Sequence, residues 1–292
     1  MTDFNFRNTA ELLSLCKEHN MKISEVMLSR EILLGGVTRA AIMDQIDECL
    51  RVMDGSTNRA SEAPIRSMGG LIGGEAHMLH ELPRSQTICG STMHKAIMFS
   101  LAVAETNASM GVIVAAPTAG SAGVVPACIL ALHEDYDISV DVLRLGLINA
   151  GAIGYIVTRN GSVAGAEAGC QAEVGSASAM AASALVEMLG GTPEQCCHAA
   201  SIALSSLLGL VCDPVRGLVE VPCQTRNTIG ASGAFTAAEL ALAGITSPVP
   251  LDEMIQIVSD VGHALPISLR ETGKGGCAAA PSVCAMCDGC RE

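Results

Sequence analysis

The small size of its apolar side chains is the feature that most constrains the fold of this chain. Hydrophobic residues make up 49% of the 292 residues, yet aromatic residues make up only 2%, with no Trp and with 30 Gly. A core built from Ala, Val, Ile, Leu and Met lets neighbouring backbones approach closely. Charged residues amount to 16%, which excludes intrinsic disorder.

Apolar residues at helical spacing predict a mainly α fold, rich in Ala and Gly. Asn8 with Glu11 forms a capping box, and Thr192 with Gln195 forms another. A helix through Ile42 and Met53 is predicted to end at Gly55. Further helices are predicted at 86–110, 124–133, 140–156, 173–189, 225–243 and 252–263. The best strand candidate is the segment from Val112 to Val114.

A shift in composition near residue 65 predicts three parts of the chain. Residues 1–64 are charged and amphipathic and are interpreted as a helical appendage. Residues 65–276 form the Ala- and Gly-rich core domain, and residues 277–292 form a Cys-rich tail. From Gly273 onward the chain is expected to lack regular structure.

Charge and hydropathy exclude several kinds of partner. Acidic residues outnumber basic ones by 30 to 17, a net charge of −13, which argues against nucleic acid and anionic membrane surfaces. The N-terminus lacks the pattern of a secretory signal. The uncharged stretch from Thr106 to Leu132 contains two Pro and lacks aromatic ends, so it is interpreted as buried core rather than a membrane span. A cytoplasmic location is expected.

Thirteen Cys in such a chain are expected to be free thiols, since disulfides are rare in the cytoplasm and an odd number cannot pair completely. Three lie on apolar faces of predicted helices and are interpreted as core residues: Cys16, Cys49 and Cys128. Three others lie in polar or Gly-rich segments: Cys170, Cys212 and Cys223. Such loop positions suit thiolate ligands of a soft metal or an iron–sulfur cluster, with a plain core role as the alternative.

The C-terminal tail contains a C-x2-C-x2-C run formed by Cys284, Cys287 and Cys290. This run resembles part of a ferredoxin motif, but the fourth Cys and its Pro are missing. The tail therefore does not encode a complete ferredoxin-type site. Cys277 completes no known spacing.

Two Gly-rich loops, 117–123 and 69–74, are candidates for binding an anion. Small residues let backbone N–H groups converge, and a following helix N-terminus favours a carboxylate or phosphate. Tight packing is the alternative role of both loops.

His and Lys residues give weaker signals. His77 and His80 share a helical face and are interpreted as a packed or solvated pair. His94, His198 and His263 lie in apolar segments and are predicted core residues. The chain has four Lys, none in a setting typical of a Schiff base, which argues against pyridoxal phosphate as cofactor.

Four motifs together resemble the α subunit of the bacterial iron–sulfur-dependent L-serine dehydratase (L-serine ammonia-lyase) family. They are Ala-Ala-Pro-Thr-Ala-Gly-Ser-Ala-Gly-Val-Val-Pro at 115–126, Gly-Ala-Glu-Ala-Gly-Cys-Gln-Ala-Glu-Val-Gly at 165–175, Cys-Asp-Pro-Val-Arg-Gly-Leu-Val-Glu-Val-Pro-Cys at 212–223 and Arg-Glu-Thr-Gly-Lys-Gly-Gly at 270–276. The resemblance implies a [4Fe–4S] cluster, no pyridoxal phosphate, and a mainly α fold with cluster-binding loops. Its implied ligands are Cys170, Cys212 and Cys223.

The resemblance also implies a reaction, the deamination of L-serine to pyruvate and ammonia. Three ligands leave one iron open as a Lewis acid for the serine hydroxyl. The implied site for the serine carboxylate is the loop of Thr118, Ala119, Gly120 and Ser121. Family relatives can end in a Cys that occupies the open iron, and Cys284 is ranked first for this role, above Cys287 and Cys290.

A separate β subunit is expected as partner. Single-chain relatives carry an additional His-x-Pro-Ser-Ser-Ser-His motif that this chain lacks. The general base is therefore unassigned here and is expected on the β subunit. Three other classes remain as alternatives: a pyridoxal-phosphate dehydratase, an electron-transfer iron–sulfur protein and a small membrane transporter subunit.

Overall fold

The computed structural model of the chain describes residues 4–285, and helices dominate that part of the chain. Thirteen α-helices are present within it: α1 Thr9–His19, α2 Ile23–Gly35, α3 Arg39–Glu62, α4 Glu75–His80, α5 Gly90–Ala108, α6 Val124–Asp135, α7 Val140–Asn160, α8 Gly165–Ala168, α9 Ser176–Met188, α10 Pro193–Ser206, α11 Cys223–Leu242, α12 Leu251–Ala264 and α13 Pro281–Cys284. Residues 4–285 contain no strand. The prediction of a mainly α fold is confirmed.

Both predicted capping boxes mark helix starts, but only the one at Thr192 and Gln195 is complete, since Glu11 Oε2 accepts from the N–H of Arg7 at 2.7 Å instead of that of Asn8. Asn8 Oδ1 accepts a hydrogen bond from the N–H of Glu11 at 2.8 Å, at the start of α1. Thr192 Oγ1 accepts from the N–H of Gln195 at 3.2 Å, and Gln195 Oε1 accepts from the N–H of Thr192 at 2.9 Å. These bonds satisfy N–H groups that have no partner inside the helix.

The prediction that Gly55 ends a helix is wrong, because α3 continues through it to Glu62. Ala60 on this last part is fully buried against Leu101 and Ala102 of α5. Burial of this face outweighs the cost of about 1 kcal/mol for a helical glycine.

Two further predictions are corrected. The segment from Val112 to Val114 has no regular secondary structure and no neighbouring strand within residues 4–285, so it is not a β-strand. The tail beyond Gly273 was expected to lack regular structure, yet it forms a 3-10 turn at Gly276–Ala279 and the short helix α13. Pro281 fits the first position of α13, where its missing N–H costs nothing.

Helix α9 lies at the centre of the core and is buried over its whole length. Helices α6, α7, α10 and α11 pack around it. Close approach depends on glycine at particular positions. A Cβ at Gly230 of α11 would lie 2.6 Å from Cγ1 of Val174, just before α9.

The N-terminal helices share this core. Phe6, Leu12 and Ile23 are fully buried and belong to the same hydrophobic cluster as α9. The boundary at residue 65 stays a prediction, since helices α1 to α3 before it pack on the main core.

Helix α7 is apolar enough to raise the membrane question. Its most apolar 18-residue window has a mean hydropathy of 1.5, and 56% of that window is buried inside the protein. A buried core helix of a globular protein can have the same length and mean hydropathy. The prediction that the stretch from Thr106 to Leu132 is buried core is confirmed for Val124 to Leu132 of α6, which are all buried. It is wrong for the segment before α6, where Met110 and Val112 are exposed.

Gly262 on α12 and Gly55 on α3 provide a matched test of close packing. A Cβ at Gly262 would lie 2.4 Å from Cβ and 2.6 Å from Cα of Ala168, whereas a Cβ at Gly55 meets nothing within 4 Å. We expect Gly262→Ala to destabilise the protein by about 1–3 kcal/mol through overpacking. Gly55→Ala is expected to stabilise it by about 0.5–1 kcal/mol. Urea unfolding measures both, and equal effects would contradict the packing argument.

Candidate metal centre

Cys170 lies in a tight turn between two helices. Gly169 precedes it with a φ of +77°, and a Cβ there would lie 2.7 Å from the carbonyl oxygen of Leu210. A π-helical turn, Gln171–Gly175, follows and leads into α9. Such turns occur frequently at functional sites. This geometry places Cys170, which is 2% exposed, in the same pocket as Glu173.

Cys212 reaches this pocket from a separate segment. Its N–H donates to the carbonyl of Leu269 at 2.9 Å, and its carbonyl accepts from the N–H of Glu271 at 2.7 Å. These bonds form an isolated parallel bridge with Arg270. Cys212 is thereby fixed by backbone bonds on both sides and is buried.

The ligand atoms of Cys170, Glu173 and Cys212 lie within 4.8 Å of one another. The Cys212 thiol donates to the sulfur of Cys170, so the pKa of Cys170 lies below its ordinary value and that of Cys212 lies above it. Burial raises the pKa of Glu173, although Thr118 donates a hydrogen bond to it. The group therefore combines one readily formed thiolate, a second thiol and a carboxyl group.

Arg226 places a positive charge beside this group. Its Nη1 lies 3.7 Å from Cys170 Sγ, donates to the carbonyl of Val211 at 2.8 Å and forms an ion pair with Asp213 at 2.6 Å. Asp213, which is buried, also accepts from the N–H of Cys277 at 2.6 Å. This buried ion pair orients the guanidinium toward the Cys170 sulfur.

Cys223 begins helix α11 and lies outside the group of three ligand atoms. Burial raises its pKa to about 12, and the negative charges of Cys170 and Glu173 act in the same direction. Cys284 ends α13 and is half-buried. Cys287 and Cys290 lie outside the described residues.

The predicted substrate loop lies directly against Glu173. Thr118 Oγ1 donates to Glu173 Oε1 at 2.9 Å, and its hydroxyl also pairs with that of Ser121 at 3.2 Å. A Cβ at Gly120 would lie 3.1 Å from the same carboxyl oxygen. Asn227 Nδ2 donates to the carbonyl of Gly120 at 2.8 Å. Ala119 completes the turn and is exposed.

Carboxylates of the chain itself occupy the second Gly-rich loop, 69–74. Glu220, which is 3% exposed, accepts from Ser67 Oγ at 2.9 Å, from the N–H of Gly69 at 2.7 Å and from the N–H of Leu71 at 2.9 Å. The anion bound by this loop is therefore the side-chain carboxylate of Glu220. It fastens the loop to the segment that carries Cys223.

Two further carboxyl groups, those of Glu105 and Glu75, lie at the end of the same loop. Glu105, fully buried, accepts from the N–H groups of Gly74 at 3.0 Å and Ala76 at 2.9 Å. Gln224 donates to Glu105 at 3.1 Å and to Glu75 at 3.3 Å. Burial, together with the neighbouring Glu75, raises the pKa of Glu105 to about 7.

Most His predictions are confirmed, with one correction. The rings of His77 and His80 stack with their centroids 6.2 Å apart, and His94 and His198 are partly buried with hydrogen-bond partners. The prediction that His263 is a core residue is wrong. It lies on the exposed side of the last turn of α12.

The donor set at Cys170 fits a thiolate-bound metal group. Soft thiolates next to hydrogen-bond donors are the ligands that iron–sulfur clusters and thiophilic metals prefer. Fold and site together define a mainly helical protein with a buried thiol–carboxyl centre that could hold a metal. The chain belongs to the family described as "Serine dehydratase alpha chain", which it matches over residues 18–278.

Several curated proteins are similar over most of this chain. The "Probable L-serine dehydratase, alpha chain" of Bacillus subtilis is 48% identical, covering 95% of this chain and 92% of its own length. The "L-serine dehydratase, alpha chain" of Peptoniphilus asaccharolyticus is 45% identical, covering 93% and 94%. The "L-serine dehydratase 1" of Escherichia coli is 37% identical over 94% of this chain, but over only 62% of its own length.

Sequence reasoning missed three side chains of the centre. Glu173 follows Cys170 by three residues, Arg226 follows Cys223 by three, and Asp213 follows Cys212 directly. Charged residues at i+1 and i+3 from candidate ligands were the signal that could have found them. Helical neighbours at i+3 share a face.

Glu105 gives a testable pH dependence. Its pKa is raised in the folded protein, so it contributes stability below its unfolded value of about 4.5, and that stability is lost as pH rises to about 7. We expect the stability of the wild type to fall by about 2–3 kcal/mol more than that of Glu105→Gln across this window. Urea unfolding at several pH values measures it, with the exposed Glu18→Gln as control. A variant that tracks the wild type would contradict the assignment.

Proposed function

We propose that this chain is the α subunit of an L-serine dehydratase that deaminates L-serine to pyruvate and ammonia. A [4Fe–4S] cluster held by Cys170, Cys212 and Cys223 is the proposed cofactor. The observation that carries the proposal is the buried group of Cys170, Glu173 and Cys212, within 4.8 Å and in contact with the Thr118 loop. The family membership and the names of the relatives support it.

The bound cluster would supply a Lewis acid for the serine hydroxyl. The chain's own residues bind and orient the substrate around it. The loop of Thr118, Ala119, Gly120 and Ser121 receives the serine carboxylate, and Glu173 holds the Thr118 hydroxyl in place at 2.9 Å. Arg226 stabilises the thiolate form of Cys170.

A β subunit is the proposed partner. The two alpha-chain relatives match this chain over 92% and 94% of their own length, whereas the Escherichia coli relative matches over 62%. The Escherichia coli protein therefore contains a further region beyond the part that it shares with this chain. We place the general base on the β subunit and the assembled enzyme in the cytoplasm.

Cys284 is the proposed displaceable fourth ligand. The N–H of Cys277 is bonded to Asp213 at 2.6 Å, which anchors the preceding turn beside the Arg226 ion pair. Ordering such a segment costs about 1–2 kcal/mol per residue, which a metal–thiolate bond would offset.

The ligand assignment is tested by single substitutions in anaerobically reconstituted protein. We expect Cys170→Ser, Cys212→Ser and Cys223→Ser each to abolish bound iron, sulfide and the visible absorption band, because a three-point attachment has no spare. Cys284→Ser should keep the cluster but shorten its lifetime in air. Iron and sulfide analysis with absorption spectroscopy measures these effects.

Cys16→Ser and Cys49→Ser are the matched controls, since both thiols pack in the core away from the centre. Both variants should keep the cluster. Full iron content in any of the three loop variants would refute that ligand.

The partner requirement is tested by serine turnover under anaerobic conditions. We expect the reconstituted 292-residue chain alone to produce little or no pyruvate, and addition of the β subunit to restore turnover. The β subunit alone is the control. Robust turnover by the chain alone would refute the need for a partner, and bound cluster without turnover in the mixture would favour an electron-transfer protein.

A further inference from the structure

The segment 112–116, which has no regular secondary structure, has backbone groups without a protein partner. None of its peptide N–H or C=O groups has a hydrogen-bond partner among residues 4–285, although Gly111 just before it bonds to Thr106 at 2.8 Å. Of these residues only Ala116 is buried, so water can pair with the backbone groups in the chain alone and an added strand can replace that water. The segment is rich in β-branched residues, Val112, Ile113 and Val114, which favour pairing as a strand.

An apolar groove of about 470 Å³ runs beside this segment. Val114 and Pro117 form one wall, Ile46 and Met53 of α3 another, and Leu147 of α7 a third. Gly151 of α7 also lines the groove, and a Cβ there would meet nothing within 4 Å. The groove therefore has room for apolar side chains from outside.

Exposed apolar side chains border the same segment. Val112 is 74% exposed, Met110 is 80% exposed and Met68 is 76% exposed. Met68 lies close to Met110, because its N–H donates to the carbonyl of Ala108 at 2.8 Å. Clustered exposed apolar residues mark interaction sites.

Together these features match the requirements for binding an extended peptide. In strand addition, main-chain hydrogen bonds provide affinity and pockets for alternate side chains provide specificity. The segment 112–116 offers the main-chain groups. The apolar groove described above, called here the α3–α7 groove, offers the pocket for side chains.

We infer that segment 112–116 and the α3–α7 groove form the docking site for an extended, apolar segment of the β subunit, which pairs with this chain as an added strand. This inference rests on the proposed function for the identity of the partner. The docking site leads directly into Thr118 of the substrate loop, so a subunit bound there lies next to the site that it completes.

Other occupants fit less well. The chain's own C-terminal residues 286–292 have the sequence Met-Cys-Asp-Gly-Cys-Arg-Glu, which is charged and lacks alternating apolar residues. A second copy of this chain would bury the apolar border but would add no new region to the site. The Escherichia coli relative carries a further region beyond its match to this chain, and a separate subunit that supplies such a region is the occupant that would complete the neighbouring site.

Hydrogen exchange of the full chain, alone and with the β subunit, tests the pairing. We expect the amides of residues 112–116 to exchange rapidly in the chain alone and to slow by about tenfold or more on addition of the β subunit. Protection already present in the dilute chain would refute an open edge. Protection that grows with the concentration of the chain alone would show a second copy there and overturn the inference.

Substitution at Gly151 tests the groove. A Cβ at Gly151 meets nothing within 4 Å, so Gly151→Leu adds a side chain on the groove side and should weaken the complex by about tenfold or more, measured by sedimentation. Gly55→Leu is the control, because Gly55 is also a helical glycine with open space and lies outside the groove. Equal affinities of both variants would overturn the inference.

Different results would contradict the docking site and the proposed function. If the β subunit binds and restores serine turnover but leaves residues 112–116 unprotected, the docking site is wrong and the proposed function stands. If no complex forms with the wild-type chain and turnover does not appear, the proposed partner itself is wrong.

Discussion

Complete burial of helix α9 is the constraint on which the rest of the structure depends. Every residue from Ser176 to Met188 is buried, and most of them are Ala or Ser. Small side chains let four other helices approach α9 closely, and two of its three hydroxyls have hydrogen-bond partners inside the core. Ser178 donates to the carbonyl of Gly230 at 2.8 Å and Ser183 to Asn149 at 2.6 Å. Because α9 follows directly on the turn of Cys170 and Glu173, its packing also fixes the candidate centre.

Buried carboxyl groups hold several loops and helices in their positions through hydrogen bonds. Glu220 binds the loop 69–74 through backbone N–H groups, and Glu187 accepts from Asn149 at 2.6 Å. Burial raises the pKa of Glu187 and of Glu173, so each is held by hydrogen bonds against a real desolvation cost. An acidic chain thus uses some of its carboxylates as internal ligands of its own glycine-rich loops. Those loops then position Cys223 and the substrate loop.

Sequence patterns predicted the helices well, because capping residues and apolar spacing are local signals. They failed where tertiary packing decides, as at Gly55, whose helix continues because Ala60 is buried beyond it. The Val112 to Val114 segment has strand propensity, but no partner strand exists within the described part of the chain. At the site, sequence reasoning found the Thr118 loop and the two thiols that meet. It missed Arg226 and Asp213, because their positions three and one residues after candidate ligands do not show that they pair with each other across separate segments.

The thiol side and the substrate-loop side of the candidate centre are held in place by different kinds of contact. The thiol side is fixed by the backbone bonds of Cys212 and by the buried pair of Asp213 and Arg226. The substrate loop is held mainly by side chains, namely Glu173 at Thr118 and Asn227 at Gly120, and the chain that enters it is unpaired. A strand added at residues 112–116 would restrain that entering chain and so reduce the entropy cost of ordering the loop around a substrate. Subunit assembly and substrate binding would then favour each other, because both order the same segment.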